Sequence, residues 1–226
     1  MKKTLKWIAI LIVTILVVII YSGIYLDIPR KELEAKYATG SSQFLDLPDG
    51  TRIHFRDEGE PNNPVIVLLH GFNGSLFNFE RLVPLLANDF RLISIDLPGF
   101  GLTGATPSAD YTTEGFINAV TKLTNKLEIE KFSIAGNSMG GGVAWRDALE
   151  YPSKVEGLIL LASSGVGSKE DVKKFEEREN NTPIVWKLMD SDLLKKFLHY
   201  YTPKFFATEA LKRSVFDQKY ANYEHA

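Results

Sequence analysis

Apolar positions fall into three textures along the chain, and each predicts a different kind of element. The first is a single uncharged run from Trp7 to Leu26, preceded by Lys2, Lys3 and Lys6. As a helix it would span roughly 30 Å, the thickness of a bilayer's hydrocarbon core, at about 1.5 Å per residue. The run exceeds the usual h-region of roughly 7–15 residues, and Tyr21-Ser22-Gly23-Ile24-Tyr25 lacks a clear small-x-small cleavage site. Residues 1–26 are therefore expected to form a transmembrane signal anchor. The lysines would hold its N-terminus in the cytoplasm and send the remainder to the periplasm or the cell exterior. Residues 27–42 are charged and mixed, and predict a short spacer.

The second texture begins with alternation. Gln43 to Leu47 and Thr51 to Arg56 alternate apolar with polar around Pro48-Asp49-Gly50, which predicts an antiparallel hairpin. Val65-Ile66-Val67-Leu68-Leu69 then runs apolar without alternation, as a strand covered on both faces does. Phe90 to Ile95, Phe132 to Ala135 and Val155 to Ala162 repeat that signature. Helical stretches separate them: Leu76 to Ala87, Thr113 to Leu127 with Phe116, Val120, Leu123 and Leu127 on one stripe, and Met139 to Tyr151, stopped by Pro152. Strands alternating with helices predict an α/β fold built on a mostly parallel sheet. In the third texture, from Gly167 to Ala226, charged helical segments carry aromatics and no strand-like run follows.

Composition narrows the chemistry. A length of 226 residues suits one globular domain once the N-terminal run is set aside. The formal net charge of −2, with no basic patch, excludes a nucleic-acid partner. The chain has no cysteine, which removes disulfides, thiolate zinc sites and a cysteine nucleophile together. No metal and no cofactor are called for by any motif.

Three motifs follow the ends of predicted strands. Gly136-Asn137-Ser138-Met139-Gly140 is a G-x-S-x-G sequence between a buried strand and a helix. Such a turn forces the serine into a strained conformation, and glycines two residues to either side let strand and helix approach. It also aims the next helix's N-terminus at developing negative charge. Ser138 is thus the candidate nucleophile. His70-Gly71-Phe72 follows Val65 to Leu69, and its glycine lets the loop fold beside the serine. The backbone N–H groups of Phe72 and Met139 could then converge as an oxyanion hole, worth about 3–4 kcal/mol per donor. His70 is expected to be structural, along with Gly71, Gly136 and Gly140, and His54 a half-exposed strand residue. Asp96-Leu97-Pro98-Gly99-Phe100-Gly101 predicts a tight turn in which Asp96 bonds loop backbone.

Together these motifs, with their intervals, resemble the α/β-hydrolase superfamily, and in particular its exported, membrane-anchored esterase and lipase-like members. The resemblance implies an α/β-hydrolase core over 43–166 and an incomplete helical lid over 167–226. It implies an ester-cleaving serine hydrolase acting on a small-molecule or lipid-like ester. Aminopeptidases and cofactor-free peroxidases share the frame, whereas the dehalogenase and epoxide-hydrolase branches place aspartate where Ser138 stands. The family's order is serine, acid, histidine, with the last two on loops after further strands. Only His199 and His225 follow Ser138. His199 reads as a lid residue and His225 lies at a terminus, and Asp190, Asp192 and Asp217 sit at no strand end. No acid or base is assigned, and the chain reads as truncated before them, with Val155 to Ala162 as an exposed edge. A catalytically inactive remnant or membrane-tethered binding protein is the alternative of another class.

Overall fold

The computed structural model describes residues 2–23 and 28–165. The first helix, α1 (Lys2–Gly23), carries three lysines in its opening turns. The expected membrane anchor, and with it the extracytoplasmic placement of the remainder, is corrected by this element. Among the described residues no helix is long and apolar enough to cross a membrane. The uncharged stretch of α1 from Trp7 to Gly23 covers roughly 25 Å, short of the roughly 30 Å that a crossing requires. Residues 24–26 of the apolar run lie outside the described set.

Residues Pro29–Glu170 form one compact unit. It opens with α2 (Arg30–Tyr37), held to the strands and loops by side-chain bonds. Arg30 donates to the Leu102 carbonyl at 2.9 Å, and Arg52 pairs with Glu34. The hairpin follows as β1 (Ser42–Asp46) and β2 (Arg52–Glu58), antiparallel with Phe44 opposite His54.

β3 (Val65–Leu69), β4 (Arg91–Ile95), β5 (Phe132–Asn137) and β6 (Val155–Leu161) complete a sheet of order β1-β2-β4-β3-β5-β6. β2 meets β4 antiparallel, and the other pairings beyond the hairpin are parallel. Alternate residues of the central strands feed two cores because both sheet faces are covered. Val67, Leu69, Ile93 and Ile95 pack under α4 (Thr113–Lys126) and α5 (Met139–Glu150) through Phe116, Val120, Leu123 and Val143. Ile66, Leu68 and Leu92 pack on the other side with Phe79 and Val83. Each such side chain contributes about 1.5–3 kcal/mol through burial.

One element differs from expectation. The single helix expected over Leu76 to Ala87 is instead a 3-10 turn (Leu76–Phe79) followed by α3 (Val83–Leu86). Pro84 near the start of α3 has no N–H to continue a helix arriving from upstream. The run Val155 to Ala162, expected as an exposed edge, forms β6 with Leu158, Ile159, Leu160 and Leu161 each 38–43% exposed. The strand stands at the end of the sheet, where among the described residues it pairs only with β5. The lid segment 167–226, with its candidate helices and histidines, lies outside the described residues.

Candidate active site

Ser138 sits between β5 and α5 with φ 50° and ψ −113°. A non-glycine residue in this region costs on the order of 1–3 kcal/mol and persists only where its surroundings dictate it. Four hydrogen bonds do so here. The Ser138 N–H donates to the Leu161 carbonyl at 2.9 Å. Its carbonyl accepts the Gly142 N–H at 3.1 Å, the Ser164 N–H at 2.9 Å and the Ser164 hydroxyl at 3.1 Å. Close approach adds a second constraint. A side chain at Gly140 would strike the Leu69 and His70 carbonyls, and one at Gly136 would strike Gly140. The elbow can therefore be this tight only with glycine at both positions.

The loop after β3 lies directly against the serine. A methyl group at Gly71 would come within 3.2 Å of Ser138 Cβ and 3.0 Å of the Asn137 side-chain oxygen. Phe72 follows with its ring 77% exposed and edge-on to Phe100 at 5.8 Å. Met139 is the first residue of α5, whose leading N–H groups have no partner within the helix. The loop bearing the Phe72 N–H and the start of α5 thus border the same serine.

His70 is fully buried. Its Nε2 accepts the Leu97 N–H at 3.1 Å, so its proton sits on Nδ1 and is donated to the Gly71 carbonyl at 2.7 Å. Burial pushes the imidazole below its ordinary pKa of 6.5, opposed by the Gly71 bond and the nearby Asp96 charge. At neutral pH His70 is an uncharged brace between two loops.

His54 departs from expectation. It is fully buried rather than half-exposed, and Nδ1 donates to Asp96 Oδ2 at 2.7 Å. Alternation had marked Ile53 and Phe55 as core and His54 as outward, but β2 has neighbours on both faces. Asp96, also fully buried, accepts the Leu76 N–H at 2.7 Å and the Leu102 N–H at 2.8 Å. The sequence signal for this pairing was a titratable residue on one predicted strand and another directly after a second strand of the same sheet. Among the described residues no cluster of His, Cys, Asp or Glu could hold a metal ion. His199, His225, Asp190, Asp192 and Asp217 lie outside the described set.

Comparison with known proteins places this geometry among relatives. Residues 64–223 match the family described as alpha/beta hydrolase fold. An uncharacterized hydrolase of Saccharomyces cerevisiae is 36% identical over 115 residues, 51% of this chain and 40% of its own. Lipase 1 of Psychrobacter immobilis is 31% identical over 185 residues, 77% of this chain and 58% of its own. The crystal structure of Cfl2 from Burkholderia cenocepacia superposes with a TM-score of 0.61 at 25% identity, covering 81% of this chain and 62% of that one. The chain spans about half the length of the curated relatives it matches.

Proposed function

We propose, from the premise that this chain belongs to the alpha/beta hydrolase family, that it is a serine hydrolase cleaving carboxylic esters through an acyl-enzyme on Ser138. The observation that carries this reading is the strained elbow: a serine with φ 50° at the start of α5, with Gly71 pressed against its Cβ. In the proposed reaction Ser138 Oγ gives up its proton to a base and bonds to the ester carbonyl carbon. The carbonyl π electrons move onto oxygen, where the Phe72 and Met139 N–H groups stabilise the oxyanion by about 3–4 kcal/mol per donor. Collapse expels the alcohol, reprotonated by the base, and water then releases the acid by the reverse sequence.

Neither described histidine can serve as that base. His54 and His70 are fully buried away from any substrate, and the Nε2 lone pair of His70 is already taken by the Leu97 N–H. The base and its carboxylate partner therefore come from outside the described residues. The name of the Psychrobacter relative, a lipase, supports an ester substrate over an amide. The exposed Phe72, next in the chain to the Gly71 that borders the serine, suits an apolar acyl group.

A fluorophosphonate probe tests the proposal on the full chain. Covalent labelling of the wild type but not of Ser138→Ala is the expected result. Absence of labelling in folded protein overturns it in favour of an inert binding protein. With labelling in hand, faster turnover of short p-nitrophenyl esters than of amino-acid arylamides is expected, and the opposite order would make the chain an aminopeptidase.

A further inference from the structure

We infer that His54 and Asp96 are positioning residues that fix the oxyanion loop, an inference that rests on the reading of Ser138 as the nucleophile. Asp96 stands directly beyond β4 and is bonded through its whole length. Its N–H donates to the His54 carbonyl at 2.9 Å, and its own carbonyl accepts the Thr103 hydroxyl at 2.7 Å. The same Thr103 oxygen accepts the His54 N–H at 2.8 Å. With the Nδ1 bond, His54 and Asp96 are linked three ways: main chain to main chain, through Thr103, and side chain to side chain.

The carboxylate then reaches two loops. Oδ1 holds Leu76, where the loop after His70-Gly71-Phe72 enters the 3-10 turn. Oδ2 holds Leu102, in the loop that carries Phe100. Phe100 lies edge-on to His70 at 5.3 Å and to Phe72 at 5.8 Å, and Leu97 donates to His70. One buried carboxylate therefore pins both segments that confine the Phe72 N–H. Close packing reinforces the node, because any side chain at Gly101 would run into the Asp96 carboxylate.

Histidine at position 54 has a specific task. A buried carboxylate is tolerated only when its lone pairs are satisfied. The loop amides supply two donors and Nδ1 a third. Nε2 of His54 makes no hydrogen bond among the described residues, so the whole polar contribution of the ring passes through Nδ1. The imidazole otherwise packs at 5.0 Å from Phe44. An asparagine amide nitrogen, bonded to Cγ as Nδ1 is, can take over this donation, whereas an apolar side chain of similar size cannot. Placement matters because a shift on the order of 1 Å in a reacting geometry costs about 100-fold in rate.

The test compares the full-length wild type, His54→Asn, His54→Leu and Thr103→Val by fluorophosphonate labelling of Ser138, separating the maximal labelling rate from the probe's half-saturating concentration. His54→Leu is expected to lower the maximal rate about 100-fold, with half-saturation changed less than about 3-fold. His54→Asn is expected to recover to within about 5-fold of wild type, and Thr103→Val to label about 3- to 10-fold more slowly, given the same rate sensitivity. A wild-type rate in His54→Leu, or equal loss in His54→Asn and His54→Leu, overturns the inference. If His54→Leu does not fold, a wild-type rate in Thr103→Val overturns it. If the wild type itself does not label, the Ser138 reading has failed, and amide hydrogen exchange at Leu76 and Leu102 decides the clamp instead. Faster exchange in Thr103→Val than in wild type and His54→Asn then supports it, and equal protection in all three overturns it.

Discussion

Asp96 and Asp147 are both buried acids, yet they stand in opposite circumstances. Asp96, beyond the end of β4, receives two backbone N–H groups and an imidazole. Asp147, inside α5, is 1% exposed, and its Oδ2 finds no hydrogen-bond partner among the described residues. Burial drives the Asp147 pKa up to about 6, helped by Glu150 and opposed by Lys154. Burial alone therefore does not say what a carboxylate contributes. With donors converging on it an acid organises two loops, and without them it favours its neutral form and costs stability once ionised.

Removing the satisfied acid should have the largest effect. Asp96→Ala strands the Leu76 and Leu102 N–H groups and His54 Nδ1, and should destabilise the fold by about 3–5 kcal/mol, measured by denaturant unfolding. Removing the unsatisfied acid should do the reverse. The native pKa of Asp147 is raised from 3.8, so the folded state binds more protons between about pH 4 and 6 and loses stability as pH rises through that window. Asp147→Asn should flatten that decline and gain about 1–2 kcal/mol above pH 7, part of the full linkage being offset by the buried amide. A stability curve with an unchanged slope would make the two aspartates equivalent after all.

The smallest effect belongs to His70, whose slope has the opposite sign. Its native pKa is lowered, so the unfolded chain binds its proton first, and the stability present above pH 6.5 declines as pH falls below that value. His70→Asn, measured over the same pH series, should lose about 1 kcal/mol near neutrality through the unpaired Leu97 N–H. It should also remove the acid-side decline.

Local chemistry was legible in the sequence where it depended on near neighbours. The apolar runs at Val65 to Leu69 and Phe132 to Ala135 gave the central strands, and Gly136 to Gly140 gave the elbow, because each signal lies within a few residues. The two-faced burial of β2 was not legible, since alternation reports only one covered face. His54 was misassigned for that reason. The same locality explains Val155 to Ala162: its apolar run looked like the central strands, while its exposure is set by its place at the end of the sheet.

The bonds from Ser138 to Leu161 and Ser164 also set an order of events during folding. These partners lie 23 and 26 positions further along the chain, and they belong to the last described strand and the turn after it. Until that strand docks in parallel beside β5, only the Gly142 N–H bond acts on residue 138, three of the four bonds that hold its high-energy backbone state are missing, and it relaxes to an ordinary one. Parallel pairing between distant segments is slow compared with local helix formation. The elbow therefore closes late, and any species lacking β6 carries the serine without its geometry.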